Sequence, residues 1–237
     1  MVSSIMATKL NRLPVFLGQA NCRLYHYAGN NPVRYVDPEG RSESYSDDGY
    51  YLGRKDDDLN GIYVYHYDTN LNKLVDIGFL IDIDGSRISE DSFHQTVAMI
   101  YGEAEGNDAK ENCGMGEVVR NRMEESGLTL LNSLDHRYAG YDARNNNTKK
   151  YQEGLSMMKG KKEIGKSEKK SEMLRNAIKG TIHGLRGKES VFSEKPFFWS
   201  HGIKRNETIY KKVDTINECD FFTLTTDSWN KNKRYWP

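Results

Sequence analysis

The hydrophobic pattern of this chain changes from a strand-like to a helical period near Ser89, and that change limits what it can fold into. Before it, runs of β-branched and aromatic residues lie between the turn dipeptides Asp48-Gly49, Asn60-Gly61 and Asp84-Gly85. Such dipeptides tolerate the positive φ that tight hairpin turns require. "GIYVYHYD" (61–68) alternates loosely, as a half-buried strand does, and "KLVDIGFLIDID" (73–84) is its candidate partner. A meander or pair of hairpins this small does not stand alone, so it must pack on something.

From Ser89 onward the period is helical. Phe93, Val97, Ile100, Tyr101 and Ala104 fall on one face of a helix. Glu90 and Asp91 sit in its first turn, where negative charge suits the helix dipole, and Gly106 is the expected stop. Asp108 with Glu111 three residues later has the form of a capping box. It opens a second helix through Met115, Val118, Val119 and Arg122 to about Glu124. A short helix is expected over 149–159. A longer one carries Leu174, Ala177, Ile178, Thr181, Ile182 and Leu185 and stops at Gly187. "VFSEKPFFWSHG" and "ECDFFTLTT" then return to extended structure. The fold class is therefore α+β, a mainly helical domain preceded by a small β-hairpin region.

Composition adds limits. Only 37% of the 237 residues are hydrophobic and mean hydropathy is −0.78, so part of the chain is expected to be linker or to depend on a partner. Lysine plus arginine balances aspartate plus glutamate at 34 each, which gives no charge argument for nucleic acid or a membrane surface. No apolar run approaches the roughly 20 residues of a membrane helix. The apolar stretch Leu13–Leu17 contains a proline and is shorter than the roughly 7–15 residues of a signal-peptide core, so no signal peptide is expected. Cys22, Cys113 and Cys219 are too few and too scattered for a disulfide framework or a CxxC site. Cys113 is expected as a small buried residue of the second helix.

Two stretches resemble known families. "LYHYAGNNPVRYVDPEG" (24–40) resembles the end of the Rhs repeat-associated core domain, with its Y-x-Y-x-G-N-N-P and D-P-x-G patterns. That resemblance implies that the following residues are a variable C-terminal cargo module, often a toxin. "IYGEAEGNDAKENCGMGEVVRNRM" (100–123) is similar to the SleB-type cell wall hydrolases, a lysozyme-like group acting on peptidoglycan. Ile100-Tyr101, Glu103-Ala104 and Gly106 match the end of that family's first helix; Val118, Asn121, Arg122 and Met123 match its second. "LRNAIKGTIHGL" (174–185), "FFWSHG" (197–202) and "CDFFTL" (219–224) resemble later family segments. The resemblances imply four regions: an unassigned leader over 1–22, an Rhs motif over 23–41, a β-hairpin linker over 42–88 and a lysozyme-like catalytic domain over 89–237. They imply Glu103 as the catalytic residue, peptidoglycan glycan strands as substrate, no cofactor and no metal, and an immunity protein as a further partner. Secretion or delivery to the envelope of a target bacterium follows; nucleic acid and membrane partners are not expected.

The chemistry of the residues agrees. Cleaving a glycosidic bond requires a carboxyl group that holds a proton at working pH. A free glutamate titrates near pH ~4.3, and burial against apolar neighbours raises that value. Glu103 ends an apolar helix face and suits the role. Tyr101 and Trp199, with Phe197 and Phe198, are expected to wall the pocket, and Tyr138 and Tyr141 of the loop 136–147 to line a sugar groove. A second carboxylate stays open among Glu105, Asp135 and Asp142. A single glutamate fits the lytic transglycosylase route, in which the substrate's own C6 hydroxyl attacks, and Glu105 is expected to be solvated. Asn121 and Arg122 are expected to brace the two helices. His94, His136, His183 and His201 match no ligand spacing and are expected on helix surfaces or loops. The alternatives are a nuclease-type Rhs toxin and a catalytically decayed cassette.

Overall fold

A computed structural model describes residues 41–104, 107–135, 142–160, 168–187, 189–202 and 205–232. The leader over 1–22 and the Rhs-like motif up to Gly40 lie outside the described residues. The chain divides into two units, Met1–Gly40 and Arg41–Pro237, and all described residues belong to the second.

That unit opens with a four-stranded sheet in the order β2-β1-β3-β4, from β1 (Arg41–Ser46), β2 (Tyr51–Asp56), β3 (Gly61–Asp68) and β4 (Lys73–Phe79). The pairing expected for 61–68 is present: β3 and β4 are antiparallel, with Tyr63 opposite Phe79 and Asp68 opposite Lys73. β1 and β2 form a second hairpin, and β1 runs parallel to β3. The link over 57–60 therefore crosses the start of β1. Its reach of roughly 3.3–3.6 Å per residue covers two strand spacings of about 4.8 Å. The Ser42 hydroxyl, which donates to Asp57 at 2.6 Å, ties it down.

Tyr45, Ile62, Val64 and Leu80 are buried in the same core as Phe93 and Val97, and the Tyr45 and Phe93 rings lie 5.2 Å apart. The region 42–88, expected as a β-hairpin linker that packs on something, is one wall of the body. The low overall hydrophobic fraction misled because the sheet's other face is polar and tyrosine-rich.

Helix α1 (Glu90–Glu103) starts at Ser89, whose side chain accepts the N–H of Ser92, and α2 (Ala109–Ser126) starts at Asp108 and ends at left-handed Gly127. After α3 (Leu130–Asp135) and α4 (Asp142–Asn145) come α5 (Lys149–Met158) and the long α6 (Glu168–Arg186). Gly187, at φ 61°, stops α6 as expected. An antiparallel sheet of order β5-β7-β6 follows, from β5 (Phe198–His201), β6 (Tyr210–Ile216) and β7 (Cys219–Leu224), and then α7 (Thr226–Asn232). Strand β6 gives little sequence signal because it is an exposed edge, "YKKVDTI", carrying the lysines that edges favour.

Helices α2 and α6 cross in backbone contact. A Cβ on Gly116 would stand 2.0 Å from the Gly180 carbonyl oxygen, and one on Gly184 would stand 2.1 Å from the Gly116 carbonyl carbon. Glycine inside a helix costs about 0.5–1 kcal/mol relative to alanine, and here the close approach offsets that cost. Gly184→Ala should destabilise the fold by about 1–3 kcal/mol, read as a lower denaturant midpoint. An unchanged midpoint would mean that the helices do not meet there.

Under the first sheet, buried Glu43 accepts from Tyr45 Oη (2.7 Å) and Arg54 Nε (3.0 Å) and pairs with His94 Nε2 (2.6 Å). Burial alone would raise its pKa; the bond and charge of His94, with the Tyr45 and Arg54 bonds, outweigh that and hold it below 4.5. A depressed folded-state value stabilises the fold above the ordinary carboxylate range, and the contribution is lost as pH falls through the lowered value. The stability advantage of the wild type over Glu43→Gln should therefore shrink as pH drops below 4.5. A gap constant over that range, in denaturant melts, would show that Glu43 is not responsible.

Candidate active site

Glu103 is the last residue of α1 and is half-buried. Its Oε1 accepts the N–H of Ala143 in α4. The neighbouring Gly102 makes this possible: a Cβ there would lie 2.7 Å from Ala143 Cβ and 3.4 Å from Tyr151 N. Gly154 acts likewise one turn further along α5, where a Cβ would stand 2.9 Å from the Tyr101 ring and 3.2 Å from Ala98 Cα. Lys150 Nζ donates to the Ala104 carbonyl and lies 5.8 Å from the Tyr101 ring centroid. Asn176 of α6 donates to Asn107 at its backbone (2.9 Å) and side-chain (2.7 Å) oxygens. Glu103 is thus fixed by α4, and its flanks are fixed by α5 and α6.

The second sheet holds a further cluster of side chains. His201 and Cys219 are directly opposed on β5 and β7. The Cys219 thiol is pushed well up, first by burial and then by the charges of Glu111, Asp220 and Glu103. Glu111 is fully buried; its Oε1 pairs with His201 Nε2 (3.0 Å) and its Oε2 accepts from Asn217 Nδ2 (2.8 Å). The capping box is therefore half right. Asp108 caps the N–H groups of Lys110 and Glu111, but the Glu111 side chain turns inward instead of back to the cap. The signal for this was available: residue 111 shares the buried face of Met115, Val118, Val119 and Arg122.

Other site residues fall differently from expectation. Tyr101 and Trp199 are each only 2% exposed and belong to the core, so neither offers a ring face to a sugar; this corrects their reading as pocket walls. The Tyr101 hydroxyl donates to Glu153 at 3.3 Å, and its pKa is pushed up to about 12 by burial and that carboxylate. Phe197 is also buried, while Phe198 is half-buried and sits 5.0 Å from the Arg122 guanidinium. Tyr138, Tyr141, Glu105 and His136 lie outside the described residues, and only the backbone of Asp135 and Asp142 is described.

Asn121 and Arg122 do brace, but from helix to strand: Asn121 Nδ2 donates to Pro196 O (2.8 Å) and Arg122 Nε to Phe197 O (2.6 Å). His94, His183 and His201 are not the surface groups expected. His94 is buried on Glu43, while His183 and His201 are half-buried on Glu117 (2.9 Å) and Glu111. Cys113 is buried in α2 as expected, its thiol raised to about 11 chiefly by burial.

Because α4 lies against Gly102, Gly102→Ala should cost about 1–3 kcal/mol by overpacking and should speed hydrogen exchange of the Ala143 amide. Exchange and stability both at wild-type level would put α4 elsewhere. Comparisons of the chain with protein-family models, with curated proteins and with solved structures find no match.

Proposed function

We propose that residues 89–237 are a lysozyme-like domain that cleaves the glycan strands of peptidoglycan, as the cargo domain of an Rhs-type protein. The observation that carries this reading is the setting of Glu103. It is half-buried at the end of α1, in the stretch similar to SleB-type hydrolases, with its carboxyl group oriented by the Ala143 N–H. That bond holds the carboxyl plane, so a proton leaves from a defined position. Glu103 donates to the glycosidic oxygen between N-acetylmuramic acid and N-acetylglucosamine. It then takes the C6 hydroxyl proton as that oxygen closes a 1,6-anhydro ring.

A route with one carboxylate gains support from Glu111. This neighbouring glutamate has both oxygens committed, to His201 and Asn217, and so is not placed to activate water. In a delivered toxin, an immunity protein would be the natural further partner.

Glu103→Gln keeps the side chain's size and hydrogen bonding but removes the acid. On purified sacculi it should fold normally and lose about 10²- to 10⁴-fold in rate, the usual contribution of general acid–base catalysis. Glu105→Gln should lose far less. Mass spectrometry of wild-type digests should show anhydro ends, each one water lighter than a reducing end. Full activity in Glu103→Gln would end the proposal, and reducing ends alone would replace transglycosylation by hydrolysis.

A further inference from the structure

We propose that Glu111, His201 and Cys219 form a binding site for a divalent metal ion of the zinc type. Their ligand atoms all lie within 4.8 Å of one another, although the residues come from three elements: the first turn of α2, the end of β5 and the start of β7. Tetrahedral zinc, with bonds of roughly 2.0–2.3 Å, holds its ligand atoms about 3.3–3.7 Å apart. The present 3.0 Å contact between His201 and Glu111 opens to that spacing by small side-chain rotations.

The ligand set is specific. Thiolate with imidazole and carboxylate suits zinc and disfavours magnesium and calcium, which take oxygen ligands. Two other Glu–His pairs in this fold serve for comparison. Glu117 is completed by the Ser190 hydroxyl and the Val191 N–H, and Glu43 by the Tyr45 hydroxyl and Arg54, all good hydrogen-bond donors. Glu111 has a donor of that kind in Asn217, but the group beside its His201-facing oxygen is a thiol, a weak donor and a strong ligand.

The surroundings suit an ion as well. Asn217 donates to Glu111 Oε2, which leaves Oε1 to the metal and fixes the carboxylate, as a supporting residue around a metal site does. Asn217 and Glu218, at φ 49° and 66°, form the two-residue turn between paired Ile216 and Cys219. This is the geometry of a type I′ hairpin, and it holds Asn217 and Cys219 in fixed relation. The His201 side chain is 16% exposed and provides the way in. Binding replaces the thiol proton, which passes to solvent. A dication with one thiolate, one carboxylate and a neutral imidazole is uncharged overall, as a buried site prefers. The ion would tie α2 to both β5 and β7. The cleavage proposed above takes no step through it, and the site does not depend on that proposal.

The test uses the full chain, freed of metal by chelator dialysis and then titrated with Zn²⁺ or Co²⁺. One Zn²⁺ should bind per chain and raise the thermal midpoint. Co²⁺ should give tetrahedral visible bands and a sulfur-to-cobalt charge-transfer band. Cys219→Ser should abolish the charge-transfer band, and His201→Gln and Asn217→Ala should weaken binding by at least about 10-fold. Cys113→Ser and Glu103→Gln should leave it intact, so a failed cleavage assay does not decide this question. If Cys219→Ser does not fold, the wild-type cobalt spectrum and His201→Gln still decide. Absence of saturable uptake by the wild type, or uptake unchanged in the His201 variant, overturns the site.

Discussion

Helix α2 can lie where it does only because Gly116 meets Gly180 and Gly184 of α6 with no side chain between the backbones. Every other face of α2 then has work that depends on that position. On the side of the second sheet, Gly114 lets the Phe192 and Phe221 rings come within 2.7 and 2.8 Å of where its Cβ would stand. Asn121 and Arg122 hold the backbone entering β5, Glu117 holds residues 190 and 191, and Glu111 holds His201. The second sheet thus hangs from one helix by polar side chains. Arg122 is fully buried, and a buried charge deprived of its partners costs several kcal/mol. Displacing α2 would strand it along with the glutamates, so the glycine crossing fixes more than two helices.

Much of the backbone was legible in the sequence. The β3–β4 pairing, the Asp108 cap and the Gly187 stop all follow from local chemistry acting within a few residues. What escaped was set by contacts distant in sequence. The parallel pairing of β1 with β3 leaves no local trace, since each strand reads alike in either neighbourhood. Glu111 carries a cap signature and a buried-face signature at once, and the tertiary contact with His201 decides between them. Tyr101 and Trp199 are large amphipathic rings that fit a groove or a core equally well by sequence, and here packing took them into the core. Glycines 102, 116 and 184 are invisible as contacts until the partner backbone is in place, because in a single sequence a glycine registers only as a weak helix former.

The histidines show the same limit in sharper form. The pairs Glu43–His94, Glu117–His183 and Glu111–His201 span 51, 66 and 90 residues, so no spacing rule could have found them. Each joins two different elements, and each satisfies a carboxylate that burial would otherwise penalise. Histidine suits this use because it bonds as a neutral donor or as a cation, according to what the carboxylate demands.

The position of Glu103 inherits its definition from this framework. Ala104 is held by Lys150, Asn107 by Asn176, Asp108 caps α2, and Glu111 anchors the next turn to the sheet. The chain leaving Glu103 is therefore pinned from α5, α6 and β5 in turn, while Gly102 lets α4 bring the Ala143 N–H onto the carboxyl group itself. The general acid proposed here would work only with its proton along the line to the accepting oxygen, and a displacement of about 1 Å can cost on the order of 10²-fold in rate. A glutamate at a frayed helix end could not hold such a line. One at this end can, because fixed neighbours set the path of the chain on both sides of it.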